Sequence, residues 1–132
     1  MAKRFYELVY AGDYDQVFSE YAHPDFHFAV GSSNNEELRA VIPWAGHVHQ
    51  GREGYVALTN MLFSEYESLS FEPRRFSDAG DTVIVEGHFS FRHRVTAKIA
   101  DSDWLVRLDM KDGRIVGGQF YENTYAVAAA RR

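Results

Sequence analysis

Residues 82–92, "TVIVEGHFSFR", alternate in side-chain character with a period of two. A run of that length has one physical outlet: a long β-strand, because successive side chains leave a strand on opposite faces. Val83, Val85, Gly87, Phe89 and Phe91 share one face, and Ile84, Glu86, His88, Ser90 and Arg92 share the other. The first set belongs against a core. His88 and Arg92 are therefore expected to point outward, to an exposed face or a subunit interface, since parity is strict within a regular strand. His93 and Arg94 lie near the strand end, where a bulge can break the count. In "DWLVRLDM", Trp104, Val106, Leu108 and Met110 form the apolar face, with Asp103, Arg107 and Asp109 opposite. Turn signals such as "DAGD" and "MKDG" separate these runs, so the C-terminal half reads as an antiparallel meander. Its strands are expected over residues 69–77, 82–92, 95–110 and 114–125.

The N-terminal half carries a different period. "AKRFYELVY" puts Phe5, Leu8 and Val9 on one helical stripe, which "AG" ends. Asp13 reads as the N-cap of a second short helix with Val17, Phe18 and Tyr21 inward, stopped by His23-Pro24. "DFHFAV" alternates as a strand, "GSSNNEELRAVIP" is a loop or a loop with one helical turn, and "WAGHVHQG" is a short strand. Residues 52–66 form the strongest helix, with Tyr55, Leu58, Leu62 and Tyr66 on one side. No repeat or linker divides the chain, so residues 1–132 are read as one α+β domain, its helices on one face of a curved sheet.

Composition narrows the function. Ten Phe, eight Tyr and two Trp in 132 residues predict an aromatic-lined interior. A net charge of −5 without a basic cluster argues against nucleic acid or an anionic membrane as partner. The absence of cysteine excludes disulfides, thiolate metal sites and thiol nucleophiles. No apolar run approaches the roughly 18 residues that span a bilayer, and the first ten residues lack an apolar signal core, so a cytoplasmic location is expected.

Five segments carry a resemblance: "GDYDQVFSEYAHPDFHF", "IPWAGHVHQGREGYVAL", "FEPRRFSDAGDTVIVEG", "DWLVRLDMKDGRI" and "YENTYAVAAA". In this order, and over essentially the whole chain, they resemble the SnoaL-like branch of the NTF2-like superfamily. The resemblance implies a cone-shaped α+β barrel in which a strongly curved, mostly antiparallel sheet and three helices enclose one deep apolar pocket, often in a homodimer. It also implies no metal and no organic cofactor, and a hydrophobic small molecule as ligand. The superfamily includes polyketide cyclases, ketosteroid isomerase, limonene-epoxide hydrolase and non-catalytic binding proteins, so the fold is specified better than the function. By comparison with the family, Val116, Gly118, Phe120, Glu122 and Thr124 face inward. The expected pocket wall is then Tyr10, Trp44, Leu58, Leu62, Gly87, Phe89, Phe91, Trp104, Gly118 and Phe120. Gly87 and Gly118 either leave room for a ligand or relieve strain where the sheet bends.

Two known catalytic sets are not retained. By resemblance, the tyrosine of ketosteroid isomerase falls at Phe5, its base at Val30 or Ala29, and its second Asp near Trp104 or Leu105. The Arg and first Asp of limonene-epoxide hydrolase fall at Gly87 and Phe89, the second Asp at Phe120, and the water-holding residues near Arg39 and Val41. What remains is Glu122, the only carboxylate that parity turns inward. An aromatic surround would raise its pKa toward neutrality, the condition for a general acid or base; at a pocket mouth it would instead be solvated or paired with an arginine. Asn123 stands where many relatives carry Asp. His47 and His49, two apart on one face, either assist Glu122 or are rim histidines bonded to backbone, and without a third ligand they do not make a metal site. Asp103 could meet His27 or His47 across strands, a pairing that sequence does not show. Tyr6, Tyr10 and Tyr14 either bond a ligand carbonyl or pack their rings. Two functions stay open: a cofactor-free isomerase, cyclase or dehydratase acting on a hydrophobic cyclic or polyketide-like compound, and a non-catalytic ligand-binding or interaction module. A homodimer through the outer sheet face would engage some of Glu86, His88, Arg92 and Arg107.

Overall fold

The computed structural model describes residues 1–132. Helix α1 (Ala2–Ala11) buries Phe5, Tyr6 and Leu8, and Gly12 ends it in the left-handed region at φ 78°, its N–H turned back to Leu8 and Val9 carbonyls. Asp13 caps the next turn by accepting from the Gln16 N–H at 3.2 Å. That segment, α2 (Tyr14–Gln16), widens into a π-helical turn over Val17–Tyr21. Strand β1 (Ala22–Val30) begins ahead of the expected Asp25 and runs through Pro24. The polar stretch after it does contain a helix, α3 (Glu36–Val41), because the Asn35 side chain accepts from Leu38 N–H at 3.0 Å. Strand β2 (Val48–Gln50) and helix α4 (Gly51–Glu65) follow. The long strands are β3 (Tyr66–Asp78), β4 (Thr82–His93), β5 (Ile99–Lys111) and β6 (Arg114–Glu122), and α5 (Thr124–Ala130) comes last.

One sheet has the order β2-β1-β6-β5-β4-β3. The meander β3 to β6 is antiparallel as its turns predict, while β1 lies parallel to β6 and antiparallel to β2. Register shifts in β3 between Ser68 and Ser70 and between Pro73 and Arg75, and in β6 between Ile115 and Gly117 opposite Met110 and Asp109, coil the long strands. The helices fill the concave side, giving an α+β cone. Parity in β4 is as read: Val85, Gly87, Phe89 and Phe91 are buried, and Glu86 and Arg92 are exposed. A single apolar cluster joins α1, α4 and α5 to the concave face, with Phe5, Phe26, Tyr66 and Val106 wholly buried in it.

Strand β3 starts at Tyr66, ahead of the expected residue 69, so Tyr66 leaves the helix expected over 52–66, and two further boundaries differ from expectation. Residues 95–98 are a turn and not strand: Ala97 takes φ 62°, and His93 Nδ1 accepts from the backbone N–H groups of Val95 and Thr96, both at 3.3 Å. Strand β6 stops at Glu122 because the Asn123 side chain caps α5, so Thr124 opens a helix and has no inward strand position. Short capped helices at α3 and α5 raise the helical segments beyond the three expected. Arg131 fastens α5 across the ends of α3 and α4, its fork on Glu65 at 2.7 and 3.0 Å and its remaining nitrogen on the Val41 carbonyl at 2.6 Å. No helix is long and apolar enough to cross a membrane.

Candidate ligand cavity and its buried acid

Between α1, α4 and the concave sheet lies a cavity of about 510 Å³, within the range of small-molecule sites. Helical spacing builds one wall: Tyr6, Val9 and Tyr10 on α1, and Tyr55, Leu58, Thr59 and Leu62 on α4. Strand parity builds the other, with Phe28, Phe71, Phe91, Phe120 and Glu122. The rings stack in series: Phe71 lies 6.4 Å from Phe91 with 6° between planes, and 6.2 Å from Tyr10 with 19°. Such parallel faces suit a flat, apolar guest.

The polar groups of the cavity are few. Tyr14, just outside, donates to Thr59 Oγ1 at 2.9 Å, and Thr59 donates on to the Val56 carbonyl at 3.1 Å. Tyr10 and Ser68 hydroxyls meet at 3.1 Å near the entrance, where Glu67 and Arg94 also border the opening. The Tyr6 hydroxyl is buried without a partner, and burial pushes its phenol well above the ordinary range. Burial, reinforced by Tyr14 beside it, pushes the Tyr55 phenol up as well.

Glu122 is the less exposed of the two acids that line this cavity. It sits at the end of β6 opposite Trp104, half-buried, with part of its surface open to the cavity and no ion pair. Enclosure by apolar groups removes solvation from the carboxylate and raises its pKa to about 7.

Of the expected wall, Tyr10, Trp44, Leu58, Leu62, Phe91 and Phe120 do come together around the cavity with Glu122. Gly87, Phe89, Trp104 and Gly118 do not line it. A side chain at Gly87 would meet the Trp104 ring and the Glu72 carbonyl, and one at Gly118 would meet the Phe28 ring at 2.6 Å. The glycines thus make room for aromatic neighbours on the adjoining strands and leave none for a ligand. Trp104 is stacked on Phe71 at 4.7 Å and on Phe120 at 5.2 Å, and those two rings front the cavity. Phe89 packs on Phe91 at 4.3 Å, deeper in the core.

His47 and His49 also lie outside the cavity. Their rings are 4.3 Å apart, His49 Nε2 donates to the Trp44 carbonyl at 2.7 Å, and His47 Nδ1 bonds the Ala45 carbonyl at 3.2 Å. Burial lowers the pKa of His49, with the Trp44 hydrogen bond opposing and His47 and Arg39 repelling the charge. The pair fixes the bend that carries Trp44 into the cavity wall. Asp103 meets neither His27 nor His47: it bonds His88 Nδ1 at 2.9 Å on the outer face, where Asp101 engages the other nitrogen. No three His, Asp or Glu side chains are grouped to hold a metal ion.

Sequence reasoning named Tyr6 only as an alternative ligand contact and missed Tyr55, Phe71 and Arg94 as wall residues. Tyr55 belongs to the α4 stripe already read, and Tyr6 is one position around α1 from the stripe at Phe5. Phe71 was hidden by the two bulges of β3, which reset parity on either side of it.

A family model described as a SnoaL-like domain matches residues 2–118. No curated protein matches the sequence. Among solved structures, an NTF2-like protein from Burkholderia xenovorans is 23% identical, with 99% of this chain and 92% of that one covered, at a TM-score of 0.80. TerC, co-crystallised with polyporic acid, is 20% identical over 96% of this chain and 91% of that one, at 0.77. A Mesorhizobium loti protein provisionally named a SnoaL-like polyketide cyclase is 19% identical over 91% and 94%, at 0.68. At these identities the likeness is one of fold.

Proposed function

This chain belongs to the SnoaL-like family, and on that premise we propose that it binds a hydrophobic, cyclic small molecule and moves a proton on it without a cofactor. The reaction class is isomerisation, aldol-type cyclisation or dehydration. One observation carries the reading: of the two acids that line the aromatic cavity, Glu67 is exposed at the rim and paired with Arg92, whereas Glu122 has no cation to hold it ionised and has a pKa of about 7. A group poised there is half protonated near neutrality, so it can take a proton from an acidic carbon and return it elsewhere. A flat guest between Phe71, Phe91 and Tyr10 would present one edge to β6. The ring walls would exclude water, which keeps the carboxyl in its raised range. The neighbour that crystallised with polyporic acid supports a ring compound as guest.

The test is Glu122→Gln in single-turnover and binding assays against ring ketones and hydroxyquinones. Turnover should fall about 10²–10⁴-fold with affinity nearly unchanged. Unaltered turnover would remove Glu122 from the chemistry. The second reading, a non-catalytic binding module, is favoured by the tethering of His47 and His49 to backbone, which leaves Glu122 without an imidazole partner. It predicts binding with no proton exchange into solvent, measurable as absent deuterium uptake by the bound ring compound.

A further inference from the structure

Among the groups that border the cavity, Arg94 is the one cation. Most arginines of the chain are spent on carboxylates: Arg4 on Glu7, Arg52 on Asp15, Arg74 on Glu72, Arg75 on Glu86, Arg92 on Glu67, Arg107 on Asp109 and Arg131 on Glu65. Arg94 has no such partner. Its place is nonetheless fixed: the backbone N–H bonds the Glu65 carbonyl at 2.8 Å, and Nε donates to the Phe63 carbonyl at 3.0 Å. Both anchors are carbonyls at the C-terminal end of α4, which stay unpaired within a helix and draw a guanidinium. With Nε committed, the two terminal nitrogens are left as a fork at the entrance.

We propose that Arg94 recognises an acidic substituent of the ligand, so that the natural guest is a ring compound bearing a carboxylate or an ionised enol at its outer end. This rests on the ligand-binding reading of the cavity above. The electrostatics support the assignment. A chain of net charge −5 repels anions in general, and a single pre-oriented guanidinium at the mouth offsets that repulsion locally. Glu67, the one acid at the same rim, is engaged by Arg92 at 3.7 Å and is partly offset there. Glu122, held in its raised range, opposes an anion further in less than an ordinary carboxylate would. An apolar body between stacked rings and one charged end at the rim gives the guest a single orientation, which decides which edge reaches Glu122.

The probes are 2-naphthoate and its neutral counterpart 2-naphthamide, titrated calorimetrically into the full chain at low and high salt. Wild type should prefer the acid by about tenfold, and added salt should shrink that preference. Arg94→Gln should abolish the preference, bringing acid affinity down to that of the amide, and Arg94→Lys should restore part of it. Amide binding doubles as the control for folding, since loss of the Phe63 hydrogen bond alone would weaken both probes together. Equal affinity of wild type for the two probes, or a preference that survives Arg94→Gln, overturns the role of Arg94 while leaving the cavity reading intact. Failure of both probes to bind at all overturns both.

Discussion

A single carboxyl shows how burial couples chemistry to stability. Glu122 ionises at about 7 in the folded chain against an ordinary value of 4.5. Below the ordinary value it is neutral in both states. As pH rises, the unfolded chain ionises first and the folded chain lags, so stability falls across that window and the loss is complete above the folded value. Glu122→Gln, neutral throughout, should match wild type in urea unfolding near pH 4 and exceed it by about 2 kcal/mol near pH 8. Equal stability at both pH values would mean that the carboxyl is solvated. The Tyr6 hydroxyl makes the opposite case. It is buried without a partner in a chain that satisfies most of its buried polar atoms, and such an atom costs about 1–3 kcal/mol. Tyr6→Phe should therefore stabilise the free protein by about 1 kcal/mol; a loss of stability would reveal a partner for the hydroxyl. Alternation in "GGQFYENT" groups Glu122 with Gly118 and Phe120, and the family resemblance chose that side as the inward one. The occupancy of Gly87 and Gly118 was not legible, since it depends on which rings the neighbouring strands bring over them.

At the scale of elements, period decided what could be read. The alternation of β4 and β5 fixes faces over a dozen residues, and burial follows it residue by residue. Helix α4 is long enough for its stripe to show. The helices α3 and α5, of six and seven residues, are too short for a hydrophobic period, and they exist because Asn35 and Asn123 cap them. What holds α5 is equally invisible in sequence: Arg131 reaches Glu65 and the Val41 carbonyl and lies 5.9 Å over the Trp44 ring, residues far apart along the chain. The Arg131 hydrogen bond is the main reason that the Glu65 carboxyl ionises below its ordinary range. Stability from this clasp is therefore present above the ordinary carboxyl value and is lost as pH falls through the depressed one. Arg131→Ala should cost about 1–2 kcal/mol at neutral pH, speed amide exchange across Thr124–Ala130, and matter little in acid. Unchanged exchange in α5 would show that Val127 and Tyr66, joined by a 2.6 Å hydrogen bond, hold the helix unaided.

For the molecule as a whole, the meander was legible because its connections are local, whereas the parallel pairing of β1 with β6 joins the two ends of the chain and has no local signal. The face left over by that sheet is the convex one. Many of its charges are already matched within the chain: Arg75 with Glu86, Arg107 with Asp109, and His88 between Asp101 and Asp103, while Arg92 reaches Glu67 at the sheet edge. Between them lie Ile84, Leu105 and Tyr121, the last 43% exposed. Internally paired charges with apolar residues among them suit a surface meeting its own copy, since a two-fold contact must be self-complementary. The expected outcome is a homodimer by light scattering, which Tyr121→Glu converts to monomer without altering the circular dichroism. His88 gives that contact a pH dependence. Hydrogen bonding to Asp103, with Asp101 adding, raises its pKa above 6.5. The imidazolium is thus fully present below that ordinary value and is lost as pH rises through the raised one, leaving two carboxylates facing each other on β5. Doubled by symmetry, that repulsion should weaken dimerisation in alkali and not in acid, and His88→Gln should remove the difference. Sedimentation showing monomer at every pH and concentration would reject the convex face as a contact between copies.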